Sequence, residues 1–168
     1  GGWGRQQWPV AVCVFERRPQ QKRGTLGIGR GDVVDRTSTK QAPDGPYPYD
    51  THLNIQFKPL EVVDVQPIVD NCKHPWFNQT LCKVNDSVVR LGIVKGEYHW
   101  HQHETEDEFF YVVEGRLLID LDGEGGRMVE LTPKQGFVVP KGVLHRTRAR
   151  ERTVMLMVES VEIIPTGD

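Results

Sequence analysis

Half of the six histidines of this 168-residue chain fall within five residues, in Tyr98-His-Trp-His-Gln-His103. If the stretch is extended, a period of two puts His99, His101 and His103 on one face. Neighbours then lie about 6.5–7 Å apart at Cα, near enough for two imidazoles to reach one metal ion through their ring nitrogens. The acidic run Glu104-Thr-Glu-Asp107 follows, and Glu108 opens the next apolar segment. A tight hairpin there returns the Glu108 carboxylate to the imidazoles, adding an oxygen ligand that offsets part of a cation's charge. Glu104, Glu106 and Asp107 compete for that place on residue type alone. His145 is the only histidine after residue 103 and ends Phe137-Val-Val-Pro-Lys-Gly-Val-Leu-His145, which makes it the fourth candidate.

Short strands must position these groups. Val88–Val94, Glu108–Val113, Arg116–Leu121, Met128–Leu131, Gly136–Val139 and Thr153–Val158 are short apolar or alternating runs rich in β-branched and aromatic residues. Glu114-Gly115, Asp122-Gly-Glu-Gly-Gly126, Thr132-Pro-Lys-Gln-Gly136 and Pro140-Lys-Gly142 punctuate them with turn residues. The spacing predicts an antiparallel barrel or sandwich of about eight strands. Upstream the pattern is weaker. Asp64–Cys72 reads as a short helix interrupted near Pro67, and His74-Pro75-Trp76-Phe77 as a turn that buries two aromatics. Beyond His145, Arg146, Arg148, Arg150 and Arg152 alternate with other residues. If His145 faces the barrel interior, the arginines face away from it, so they form a solvated face or a subunit contact and do not clamp an anionic substrate.

Composition sets the frame. With 38% hydrophobic and 26% charged residues the chain reads as a soluble globular protein, and its longest apolar runs fall far short of a membrane span. A net charge of −2 gives no general attraction to nucleic acid or anionic lipid. Cys13, Cys72 and Cys82 lack C-x-x-C spacing and are odd in number, which fits a reducing compartment, and no leader pattern is present, so a cytoplasmic location is expected. Residues 1–50 hold eight Lys/Arg, five Asp/Glu, eight Gly and five Pro and none of the histidines, whereas 51–168 hold 13 Lys/Arg and 18 Asp/Glu. The first part is expected to be a Gly/Pro-rich extension, weakly ordered or supplying an edge strand at Val10–Phe15; the second part is expected to be the β-barrel domain.

Two segments are similar to the paired motifs of the cupin superfamily. His101, His103, Glu108 and Gly115 match the first (H-x-H, a short gap, E, six residues, G), and Pro140, Gly142 and His145 match the second (P-x-G-x-x-H). In outline the chain resembles small single-domain cupins that carry a mannose-6-phosphate-isomerase-like label. Where the family motifs begin with glycine this chain has Lys95, with Gly96 one place later, and Lys134; Ala149 stands where some members have Asn. The resemblance covers roughly residues 85–168 and implies an all-β antiparallel double-stranded β-helix, the cupin or jelly-roll barrel. It further implies one divalent transition metal held by His101, His103, Glu108 and His145, with manganese or iron ahead of zinc, nickel or copper. His99 is then left either to pack or to act behind the ligands, orienting one of them or passing a proton. Expected partners are a small molecule and a second copy of the chain in a homodimer. The chemistry is open between a metal-dependent isomerase or oxygenase and a module that binds without turnover.

Overall fold

In the computed structural model of the protein, residues 48–123, 125–163 and 165–167 are described. They fall within one compact unit, Thr39–Asp168. Almost all of the expected extension, including the Val10–Phe15 strand and Cys13, lies outside the described residues. Within them the strands are β1 (Asp50–His52), β2 (Trp76–Val84), β3 (Ser87–Glu97), β4 (Glu108–Glu114), β5 (Leu117–Leu121), β6 (Arg127–Leu131), β7 (Gly136–Val139) and β8 (His145–Ser160), with one short helix, α1 (Gln66–Asn71). No helix among the described residues is long and apolar enough to cross a membrane.

The hydrogen-bonded order β1-β2-β3-β8-β4-β7, with β5 joined to β6 and β8, wraps the chain around itself. β8 is the spine of this arrangement. Its first residues, His145–Arg148, pair with β5, and its second half pairs with β3 on one edge and β4 on the other. Odd-numbered positions of β8 point inward: His145, Thr147, Ala149, Thr153, Met155, Met157 and Glu159 are all buried. Phe110, Val112, Leu117, Ile119 and Val139 meet them in the barrel core.

A second apolar cluster explains why β3 reads as an almost unbroken hydrophobic run. Leu91 and Ile93 face outward, yet they are covered by Val69 of α1, flanked by Phe57, Val65 and Ile68. Both faces of the strand are therefore buried, and alternation is lost. α1 is shorter than expected. Pro67 sits in its first turn, where its missing N–H costs no helical bond, so the proline starts the helix and does not interrupt it. Asp64 Oδ1 accepts the Gln66 N–H at 3.1 Å just before that turn.

The expected turn at His74–Phe77 is corrected: Trp76 and Phe77 open β2, the strand paired in register with β3. Pro75 precedes the strand, and its carbonyl accepts the Lys95 N–H at 2.7 Å.

Two departures from the family motifs have a conformational explanation. Lys134 stands where the second motif has glycine and adopts φ +72°, and Gly96 adopts φ +111°. The left-handed backbone is thus kept, at Lys134 without the residue that adopts it without strain. Lys134→Gly is expected to stabilise the protein by about 0.5–1 kcal/mol, since the relief of strain outweighs the greater freedom of the unfolded chain. Calorimetry should show a melting temperature higher by about 1–4 °C; an unchanged or lower value would count against strain at this residue.

Candidate metal centre

His101 and His145 are locked to each other through the backbone. Each donates its N–H to the other's carbonyl at 2.9 Å, forming an isolated antiparallel bridge that sends both side chains to the same side. His103 is tied to the second motif as well, because the Gly142 N–H donates to its carbonyl at 2.7 Å. Gly142 has φ +73° there, a backbone conformation that favours glycine. Glu108 is the first residue of β4 and pairs with Val139 of β7, which places it on the inner face with Phe110. All four groups are buried, His145 to 1% exposure.

One ligand atom from each of His101, His103 and Glu108 lies within 4.8 Å of the others. Glu108 Oε2 is 3.3 Å from His145 Nε2 and 3.7 Å from His103 Nε2. Two donors each bonded to one ion at about 2.1 Å would be about 3.0 Å apart at right angles and about 4.2 Å apart on opposite sides, so both contacts fall in the range a shared ion produces. The His101 and His145 rings have centroids 4.3 Å apart.

The hydrogen bonds behind the rings favour the same use. His101 Nδ1 is 3.2 Å from the His99 carbonyl, and His145 Nδ1 is 2.9 Å from the Val143 carbonyl. A carbonyl can only accept, so Nδ1 carries the proton in both rings and the Nε2 lone pair is directed elsewhere, as a metal ligand requires. Burial, with His145 and His103 alongside, pushes the His101 pKa down to about 2. The ring is neutral and able to coordinate. A buried carboxylate among imidazoles suits a divalent cation by charge and by donor type.

Comparison with known proteins shows the family. The sequence profile of the family described as Cupin domain matches residues 90–161, a span that contains all four groups. The chain is also 42% identical over 92 residues to the uncharacterised protein YdbB of Bacillus subtilis (strain 168), covering 80% of that protein and 55% of this chain. This chain belongs to the cupin superfamily. It is 48% identical over 94 residues to the polyketide synthase CurC of Streptomyces cyaneus, spanning 59% of that protein's length and 52% of its own. A cupin-2 domain protein from Shewanella frigidimarina NCIMB 400 has a similar crystal structure, with TM-score 0.55 and 29% identity over 59% of this chain and 94% of that one.

Around the cupin site the other candidates separate. His99 lies outside the cluster of ligand atoms: its Nε2 contacts the Thr166 carbonyl at 2.7 Å and its Nδ1 contacts the Tyr49 hydroxyl at 3.2 Å. What His99 contributes behind the ligands is its backbone carbonyl, which orients His101. Glu104 and Asp107 are exposed in the loop, where Asp107 accepts the Lys141 N–H at 3.0 Å. Arg146 and Arg148 face away from the site, as alternation requires. Arg148 grips Asp120 with two bonds of 2.6 Å, and Arg146 adds one of 2.9 Å. The Arg148 hydrogen bonds hold the Asp120 carboxyl below its ordinary range.

Sequence reasoning missed two groups next to the metal cluster. Arg90 of β3 and Glu159 of β8 form an ion pair inside the barrel, exposed to only 3% and 4%. Burial first, then the Glu108 charge, raises the Glu159 pKa to about 8. Parity was the available signal. Arg90 shares its face with Val88 and Val94, and Glu159 shares its face with Met155 and Met157, so each charge follows apolar neighbours on an inner row.

Proposed function

We propose that this cupin holds one divalent transition metal through His101, His103, Glu108 and His145, with manganese or iron preferred, and that a small polar or carboxylate molecule coordinates beside them. The observation that carries this reading is the convergence of buried, correctly protonated imidazoles on the Glu108 carboxylate. When bound, the ion supplies Lewis-acid polarisation of a ligand oxygen or, as iron, oxygen activation. The chain's own residues do the rest. His99 and Val143 carbonyls hold two rings in the coordinating tautomer, and Glu108 offsets cation charge. The surrounding apolar wall keeps bulk water from competing. Glu159 lines the cavity next to Glu108 and is the carboxyl group able to exchange a proton with a bound ligand. CurC bears the name of a polyketide synthase, and a carbonyl-bearing small molecule falls within the class such a site accepts.

Metal content of untagged protein tests the reading. About one ion per chain is expected in the wild type, with loss in His145→Ala and in His145→Gln; the second variant preserves volume in case the first does not fold. An empty wild type that also fails to take up manganese, iron or zinc overturns the assignment. Oxygen-uptake and isomerase screens on loaded protein then separate a catalyst from a binding module, metal-dependent turnover marking the catalyst.

A further inference from the structure

The cavity lined by His101 and Glu108 is small. Only about 40 Å³ inside it is open to the centres of water molecules, room for about three waters. A ligand of more than a few atoms that coordinates an ion there therefore needs part of the wall to give way. Much of the wall cannot. Asn78, Gly92, Phe110 and Met155 lie in strands that are hydrogen-bonded on both edges. Pro165, which lines the same cavity, is held differently.

β8 ends at Ser160, and the chain then returns to the histidines. Ile163, buried to 6%, anchors this return. Beyond it, residues 165–167 make no backbone-to-backbone hydrogen bond among the described residues. Two side chains hold them instead. The Tyr98 hydroxyl donates to the Pro165 carbonyl at 2.9 Å, and the His99 Nε2–H donates to the Thr166 carbonyl at 2.7 Å. Gly167 then lies directly on His101. A Cβ added there would meet the His101 Cβ at 2.7 Å and the Gln102 carbonyl oxygen at 3.1 Å, and its φ of +88° favours glycine. A segment tied down by two side-chain bonds opens far more readily than a strand paired on both edges.

We infer that residues 165–167 form a strap across the His101 end of the cavity, which lifts off Tyr98 and His99 to admit or release an ion or small ligand. The passage of an ion rests on the metal reading; the covering of His101 does not. Two variants loosen the strap. Tyr98→Phe keeps the ring and removes the bond to Pro165, and Gly167→Ala adds a Cβ to which His101, fixed by its backbone bridge to His145, cannot yield. The first readout uses metal-free protein, in which diethyl pyrocarbonate modifies His101 and tandem mass spectrometry locates the adduct. Modification should be about three- to tenfold faster in Tyr98→Phe, the population change from one lost hydrogen bond. It should be at least about tenfold faster in Gly167→Ala, where the left-handed backbone adds its own cost. His74, exposed elsewhere, gives the reference rate, and circular dichroism checks folding. The second readout is zinc release from loaded protein into excess EDTA, which should accelerate by the same factors. Acceleration in both readouts supports both readings. Faster modification in the variants of a wild type that holds no zinc overturns the metal assignment alone. His101 modified at the wild-type rate in both variants, or zinc released at the wild-type rate from both, overturns the strap.

Discussion

Arg90→Met should cost about 3–5 kcal/mol of folding stability, the usual loss when one partner of a buried ion pair is removed. The melting temperature should fall by about 10 °C. The reason is local. Arg90 is the cation paired with Glu159, whose ionised form burial and the Glu108 charge both disfavour, so the guanidinium is the group that offsets that charge inside the barrel. Without it, Glu159 takes up a proton and becomes neutral, which holds the loss towards the lower end of the range. Met157 lies directly across from Arg90 in the β3–β8 register and can pack against a new methionine, so the cost is electrostatic and not a cavity. The double variant Arg90→Met, Glu159→Leu removes both charges and should recover most of the stability, because a well-packed apolar pair replaces a buried ionic one at little cost. Denaturant unfolding of the wild type, Arg90→Met, Glu159→Leu and the double variant gives the coupling energy directly. A single-variant loss below about 1 kcal/mol would show that the pair contributes little, as exposed pairs do.

The position of the pair also explains what sequence could and could not reveal. The two histidine motifs were legible because ligation demands particular residue types at short spacing, and those types are rare together. β4 to β7 were legible because turn residues punctuate them. β2 was not. Its apolar residues Phe77 and Leu81 pack outward against the α1 side, while Asn78 and Thr80 lie on the side of Arg90 and Gly92. The polar row thus faces the cavity, and a pattern that assumes an apolar interior reads the strand backwards. Charges within strands invite the same error: Arg90 and Glu159 look solvent-facing until their parity with Val94 and Met157 is counted. The bridge that aligns His101 with His145 joins segments 44 residues apart, and only the curled sheet sets it.

Removing metal should lower the stability of the wild type and leave Glu108→Gln unmoved. An ion held at 100 times its dissociation constant stabilises the folded state by about 2.7 kcal/mol, so chelation should lower the melting temperature by about 5–10 °C. Returning manganese or zinc should restore it. Glu108→Gln keeps the shape of the side chain but loses the negative charge that makes the site a strong ligand set. It should therefore be less stable than loaded wild type and show no response to chelator. Metal-free, the order is expected to reverse. Glu108 is then a buried carboxylate whose charge disfavours ionisation of the neighbouring Glu159, and replacing it by a neutral amide removes that repulsion. Metal-free Glu108→Gln should thus equal or exceed metal-free wild type. That crossing separates a metal ligand from a residue that merely packs, since loss of packing lowers stability by the same amount with and without metal. Scanning calorimetry of both proteins, loaded and stripped, decides the matter. A wild type whose melting temperature ignores chelator and added metal would leave the four groups as an internal hydrogen-bond cluster.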